Sequence, residues 1–269
     1  MPELPEVETI ANGVNAHVQG DSIRSIWMSD KPQPFKSPRE DVEATLTGSK
    51  ILRVHRVGKT IVCDLQRADG TAVQWLIHLG MTGRLLVADP KIPLPLHTHL
   101  IATLQSGREL RFVDPRRFGR ISVSTQTYTG PGSEPLKIDL DAFITLFKGR
   151  KTPIKAALLN QKLLHGVGNI YADESLFRAG IRPKRQAGRL TRAELARLHA
   201  ALKAVLKRAI KLGGSSVSDY VDAEGMRGYF QIEHHVYLRT GQPCHTCQTP
   251  IRKITIGGRS THYCPQCQR

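Results

Sequence analysis

Four cysteines near the C-terminus constrain this chain more than any other feature. They read Cys244-x2-Cys247, sixteen intervening residues, then Cys264-x2-Cys267, which is the spacing of a four-thiolate tetrahedral zinc site. Two tight knuckles each deliver two sulfurs, and the stretch between them can form a hairpin: Ile251–Ile256, a turn at Gly257-Gly258, then Ser260–Tyr263. A pair of disulfides is the competing reading. Glu3, Glu6 and Glu8 open the chain with no apolar core behind them, so no secretory signal is expected, and a reducing compartment favours zinc. Four thiolates leave no open position for water, so one structural Zn2+ is expected. Cys63, left over in a strand pattern, reads as a small buried apolar residue.

Charge supplies the next constraint. The 269 residues hold 39 Lys+Arg against 23 Asp+Glu, a formal +16. The excess is local: residues 148–211 carry 16 basic and 3 acidic groups, whereas residues 1–147 carry 17 and 16. A chain charged in this way suits a polyanion, nucleic acid first, although a solvated basic helix surface is the plainer reading. The ribbon adds Arg239, Arg252, Lys253, Arg259 and Arg269 with no acid, which fits a phosphate backbone or a protein-docking module. Nothing approaches the roughly 18 consecutive apolar residues of a membrane helix.

The length fits about two domains, and the hydrophobic period changes along the chain. Val7, Ile10, Val14 and Val18 recur at helical spacing behind Pro5, which suits a first helical turn, and Gly20 can stop that helix. Much of residues 22–125 reads as strand: Ile51–Leu65, Thr71–Val87, Leu100–Leu104 and Glu109–Val123, with a turn at Ser106-Gly107. Antiparallel strands at this spacing predict a sandwich. After a Gly/Pro-rich linker at 129–137 the period becomes 3.6, with helices predicted at Leu140–Phe147, Ile154–Asn160, Ile170–Ala179 and Arg192–Leu212. Asn169 reads as an N-cap. Residues 213–235 read as an irregular loop.

Six places resemble the formamidopyrimidine-DNA glycosylase family, in order and at its spacing. They are Pro2-Glu3-Leu4-Pro5-Glu6, Lys59 in Arg56-Val57-Gly58-Lys59-Thr60, His78-Leu79-Gly80-Met81, Asp114-Pro115-Arg116-Arg117-Phe118-Gly119, the Gly166–Glu174 block and the terminal zinc ribbon. The resemblance implies a multidomain α+β chain. An N-terminal antiparallel β-sandwich flanked by helices spans 1–133. A helix–two-turn–helix domain spans 134–235, with a lesion-recognition loop at about 215–231. A zinc-ribbon hairpin spans 236–269. It also implies excision of oxidised purines, 8-oxoguanine and formamidopyrimidines, from damaged double-stranded DNA, followed by strand cleavage.

The residues make chemical sense of that activity. With Met1 removed, Pro2 exposes a secondary α-amine, whose pKa of about 8 leaves some neutral nucleophile. Glu3 is the carboxyl best placed for proton transfer. Glu6 either helps hold the site or partners the helix dipole. Lys59, read as a strand lysine that would by itself face solvent, and Arg259, at the zinc hairpin, are implied by the resemblance in phosphate contact and in base removal or late elimination. Met81, Arg116 and Phe118 match the void-filling residues: a flexible apolar wedge, an arginine for the orphaned partner base, and an aromatic for stacking. Read singly, Met81 and Phe118 would more often be core. Asn169, at a helix N-terminus, favours phosphate, and His97, Arg150 and Lys151 are implied to touch the DNA backbone. Each neutralised phosphate should contribute a salt slope of about −0.9. Tyr220, Arg227 and Tyr229 are candidates for reading the lesion.

Two other readings stand beside this one: an endonuclease VIII-like enzyme for oxidised pyrimidines, and a non-catalytic zinc-ribbon DNA-binding protein. The expected setting is the bacterial cytoplasm, on nucleoid DNA, as a monomer without membrane contact.

Overall fold

The first helix, α1 (Leu4–Val18), forms because Leu4, Val7, Ile10, Ala11, Val14 and Val18 make one apolar stripe, all of it buried. Burying each of the larger side chains is worth about 1.5–3 kcal/mol, an upper range because unfolded chains already bury some surface. These features belong to a computed structural model, which describes residues 1–216 and 220–269. The chain divides into two units: Met1–Thr129 with Leu212–Tyr229, and Gly130–Lys211 with Phe230–Arg269.

In the first unit α1 is followed by β1 (Ile23–Met28), α2 (Arg39–Leu46), β2 (Lys50–Val57), β3 (Thr60–Gln66), β4 (Ala72–His78), β5 (Arg84–Ala88), β6 (Thr98–Leu104), β7 (Glu109–Val113) and β8 (Arg120–Ser124). They build two antiparallel sheets, ordered β1-β6-β7-β5 and β2-β3-β4-β8. Ile23, Leu85, Leu100 and Phe112 of one sheet share a core with Ile51, Ile61, Trp75 and Ile121 of the other, and α1 contributes Val7, Ile10 and Val14. The expected sandwich is present, and Cys63 is a wholly buried member of its core.

Three long strand expectations need correction. Ile51–Leu65 is two strands joined at Gly58-Lys59, with Val57 opposite Thr60. Lys59 therefore sits in a hairpin turn and not in a strand. Gly58, at φ +62°, occupies the first central position, where such hairpins favour glycine. Thr71–Val87 breaks between β4 and β5, and Glu109–Val123 breaks between β7 and β8. The second and third breaks fall at Gly80-Met81-Thr82-Gly83 and at Asp114–Gly119, the turns in which Met81 and Phe118 are expected. Helix α2 lies inside the stretch expected to be mostly strand; Val42 and Leu46 bury its inner face.

The second unit contains α3 (Leu140–Phe147), α4 (Ile154–Leu159), α5 (Asn169–Ala179) and α6 (Arg192–Lys211), close to the expected ranges. Phe143 and Phe147 pack edge to face at 4.9 Å inside it. Asn169 is the first residue of α5 and not its N-cap, which is Gly168. Strands β9 (Arg252–Ile256) and β10 (Arg259–Tyr263) form the expected C-terminal hairpin. No helix among the described residues is long and apolar enough to cross a membrane.

Candidate functional site

At the start of α1, Pro2 is buried behind an exposed Met1. Glu3 and Glu6 follow, only 4% and 2% exposed. They form a reciprocal capping box in which the Glu3 N–H donates to Glu6 Oε2 at 2.8 Å, satisfying donors that a helix start otherwise leaves orphaned. The other oxygen, Glu6 Oε1, accepts the Ser215 N–H at 2.8 Å. One carboxylate thus both caps the helix and holds a segment 209 residues away against it. Gly214 lies at φ +80°, and a Cβ there would stand 2.9 Å from Glu6 Oε1, so the approach needs glycine.

A second anchor sits beside Lys59. Arg56 Nε donates to Glu8 Oε2 at 2.6 Å, and Arg56 Nη1 donates to the Gly58 carbonyl at 3.1 Å. The arginine's side chain, 5% exposed, ties α1 to the turn that presents half-buried Lys59. Sequence reasoning missed Arg56, because its partner Glu8 lies 48 residues away and no local pattern links them. His78 occupies the neighbouring strand position opposite Thr60. Burial first, then the charges of Arg120 and Lys59, push its pKa down to about 4. Its Nδ1 accepts the Gly80 N–H at 3.1 Å, so the neutral ring carries its proton on Nε2.

The three candidate void-fillers lie on two adjoining loops. Met81 and Phe118 are 42% and 52% exposed, unlike core residues of the same type. Arg116 stacks over the Phe118 ring with its Cζ 4.6 Å from the centroid, within cation–π range. The backbones nearly touch: at Gly80, φ +61°, a Cβ would meet the Phe118 carbonyl carbon at 2.5 Å. His97 is exposed in a turn before β6, at φ +66°.

In the irregular loop, residues 217–219 lie outside the described residues. Tyr220 belongs to the sandwich core, with its hydroxyl donating to the Glu6 carbonyl at 3.5 Å. It is therefore an anchor and not a base-facing group. Arg227 and Tyr229 are exposed.

The second unit holds the remaining candidates. Lys151 is exposed, while half-buried Arg150 donates from Nε to the Leu146 carbonyl. Asn169 is half-buried, and its Oδ1 has no hydrogen-bond partner among the described residues. Arg259 is exposed at the start of β10, beside the Gly257-Gly258 turn. Two buried carboxylates to which the sequence assigned no role organise this unit. Asp173 pairs with Lys155 at 2.7 Å and accepts from His262 N and Nδ1 at 2.9 and 3.1 Å. Lys155 also donates to Ser260 O and Thr261 Oγ1 at 2.8 and 2.9 Å, so the helices grip the ribbon hairpin. Glu174 accepts the amides of His235, Val236 and Tyr237 at 2.9, 3.0 and 2.9 Å.

The four ribbon cysteines place their sulfurs within 4.8 Å of one another, with Cys244–Cys267 at 3.9 Å and Cys247–Cys264 at 3.4 Å. Zinc–sulfur bonds of about 2.3 Å at tetrahedral angles put sulfurs about 3.8 Å apart, so the donor set fits Zn2+. The ribbon's own apolar cluster is small, Val236 and Ile251 beside Cys244 and Cys264, as expected where a metal supplies the fold. One structural zinc belongs here.

Comparison with known proteins agrees with this geometry along the whole chain. Family models match at residues 1–121 (formamidopyrimidine-DNA glycosylase N-terminal domain), 130–221 (formamidopyrimidine-DNA glycosylase H2TH domain) and 241–269 (zinc finger found in FPG and IleRS). A formamidopyrimidine-DNA glycosylase of Solibacter usitatus is 44% identical, with 100% of both chains covered. The crystal structure of the MutM (Fpg) protein from Thermus thermophilus is 40% identical, covering 99% of this chain and 98% of that one, with a TM-score of 0.87. A mutant Lactococcus lactis Fpg in complex with Fapy-dG-containing DNA is 34% identical, covering 100% of both chains, with a TM-score of 0.91. On these matches, the chain belongs to the formamidopyrimidine-DNA glycosylase family.

Proposed function

We infer that this chain acts as its family does, as a DNA glycosylase and AP lyase of base excision repair, and we propose that Pro2 is its nucleophile. The observation that carries the reading is the start of α1, where a proline able to become N-terminal precedes a buried carboxyl on a doubly anchored helix. With Met1 removed, the Pro2 nitrogen lone pair attacks the sugar C1′. The glycosidic C–N bond breaks, and its electron pair leaves with the base as the base takes a proton. Glu3 delivers a proton to the ring oxygen as the sugar opens, leaving an iminium between Pro2 and C1′. A secondary amine cannot shed that positive charge, so the iminium is an electron sink. Loss of a C2′ proton expels the 3′ phosphate (β-elimination), and a second elimination expels the 5′ phosphate (δ-elimination).

In this proposal Lys59 and Arg259 contact phosphate and assist base removal and late elimination. Met81, Arg116 and Phe118 fill the space left by the extruded base. His97, Arg150, Lys151 and Asn169 hold the backbone. Arg150, already bonded to Leu146, would contribute through its remaining guanidinium N–H groups. The zinc supplies folding energy to the ribbon and no chemistry. Functional segments at 1–133, 134–235 and 236–269 accommodate these roles. Genomic DNA as substrate puts the work in the bacterial cytoplasm, and one chain suffices because every proposed residue comes from it.

Oxidised purines are the proposed lesions, on the strength of the Pro-Glu-Leu-Pro-Glu opening and the Arg-Arg-Phe-Gly loop. Borohydride trapping tests both parts. A duplex with 8-oxoguanine opposite cytosine should give a covalent adduct mapping to Pro2, and a dihydrothymine duplex should give less. An adduct mainly on the second moves the substrate to oxidised pyrimidines. No adduct on either, with Met1 shown absent by intact mass and DNA still bound, refutes the Pro2 mechanism in favour of a non-catalytic binder.

A further inference from the structure

We propose that Asp114 is a positioning residue that locks the two void-filling loops into a single insertion unit. The proposal rests on the reading of Met81, Arg116 and Phe118 given above. Asp114 is wholly buried, yet its carboxylate is directed at the loops and not at a cation among the described residues. Oδ1 accepts the Thr82 hydroxyl at 2.6 Å, one residue beyond Met81, and the Arg116 N–H at 3.3 Å. Oδ2 accepts the Gly119 N–H at 2.7 Å, one residue beyond Phe118. A single side chain therefore bonds at or beside all three insertion residues, and its link to Thr82 joins the two loops.

The main chain of Asp114 extends the lock. Its N–H donates to the His97 carbonyl at 3.0 Å, and its carbonyl accepts the Arg117 N–H at 3.2 Å. His97 and Arg117 are both non-glycine residues in the left-handed region, at φ +66° and +55°. Such conformations persist where surrounding bonds over-determine them, and they cluster at functional sites. The Asp114 carbonyl also meets His99 Nε2 at 3.0 Å, while His99 Nδ1 lies 3.0 Å from Ser29 Oγ. With Nε2 donating to that carbonyl, Nδ1 accepts from the serine.

A wedge that must displace a stacked base works only if it does not yield, because a loose loop loses insertion free energy to its own ordering. The buried carboxylate supplies that stiffness without touching DNA. It should matter wherever a duplex is opened and not where no opening is needed.

The gentlest test leaves Asp114 in place. Thr82→Val removes the hydroxyl that joins the loops while keeping shape, and Thr82→Ser restores it. Insertion is read by stopped-flow fluorescence of 2-aminopurine beside 8-oxoguanine in a duplex, together with single-turnover base excision. Thr82→Val should slow both about 10- to 100-fold, as expected for one bond to a charged acceptor, and Thr82→Ser should recover most of the loss. Cleavage of a preformed abasic site in single-stranded DNA, assayed well below both melting temperatures, should stay within about twofold of the parent, a split that general destabilisation would not give. Asp114→Asn sets an amide donor against the Arg116 N–H and should slow insertion too, with less than additive loss in the double variant. Met81→Ala and Phe118→Ala serve as controls. If they leave insertion unchanged, the void-filling reading and this proposal fall together. If they slow insertion and Thr82→Val does not, only the positioning role of Asp114 falls.

Discussion

The β-sandwich and the zinc ribbon reach order by opposite routes. The sandwich buries large apolar side chains from two sheets and α1, with Trp75 and Phe112 fully enclosed. The ribbon encloses few apolar side chains, Val236, Ile251 and Ile256, and relies besides on four thiolates and on the bonds of Lys155 and Asp173 to its hairpin. Buried carboxylates accept backbone amides in both units, Glu6 and Asp114 in the first and Glu174 in the second, but among the described residues the ribbon's support adds a buried ion pair, Asp173 with the Lys155 that grips the ribbon strand. Apolar area gives the first unit a stability that does not depend on any one group. The ribbon depends on a few strong, specific ones, and that contrast can be tested.

Metal removal should separate the two most sharply. Structural zinc contributes roughly 10–16 kcal/mol of apparent binding free energy in isolated fingers. After chelation, hydrogen exchange should lose its protection across residues 241–269 and keep it in β2–β4, with DNA affinity falling at least about tenfold. A ribbon that stays protected after verified zinc loss would break the comparison.

Breaking the buried ion pair comes next in size. Lys155→Met strands the Asp173 charge in the interior, which typically costs about 3–5 kcal/mol. Urea unfolding followed by hydrogen exchange should show that loss in the second unit and little in the sandwich. Adding Asp173→Asn should recover part of it, because the unpaired charge is gone. Equal loss in both units would mean that the pair is not local to the ribbon's support.

The smallest effect concerns acid. The folded pKa of His78 is about 4 against an ordinary 6.5, so the unfolded chain binds the extra proton first. Its contribution to stability is complete above about pH 6.5 and is lost as pH falls towards 4, at most about 3 kcal/mol from this group. His78→Asn should flatten the parent's loss of stability across that window, measured by urea midpoints at fixed ionic strength. An unchanged slope would show that other groups carry the acid sensitivity of the sandwich.

Legibility in the sequence followed the range of the interactions. Cys244, Cys247, Cys264 and Cys267 were readable because both knuckles are local and only one geometry satisfies four thiolates at that spacing. The helices α3, α5 and α6 were readable to within about a residue because a 3.6-residue period is written in consecutive side chains. Lys59 was misplaced because Val57, Thr60, Ile61 and Val62 read as one strand, and the turn is marked only by Gly58. Tyr220 looked like a base-reader in a polar loop until its packing against the α1 core became visible. Arg56, Asp114 and Glu174 were given no role, since each acts through partners or turns that the one-dimensional pattern does not identify.

By itself the sequence determined the zinc ligands, the sandwich and helical classes, the basic middle of the chain, and the set of residue types from which the site is drawn. Periodicity, spacing and charge are properties of neighbours along the chain. Tertiary structure alone decided that Glu6 serves both Glu3 and Ser215, that Arg56 ties α1 to the Lys59 turn, and that Asp114 joins Thr82 to Gly119. A buried carboxylate or guanidinium must find donors or acceptors wherever folding brings them, and those partners lie up to 209 residues away.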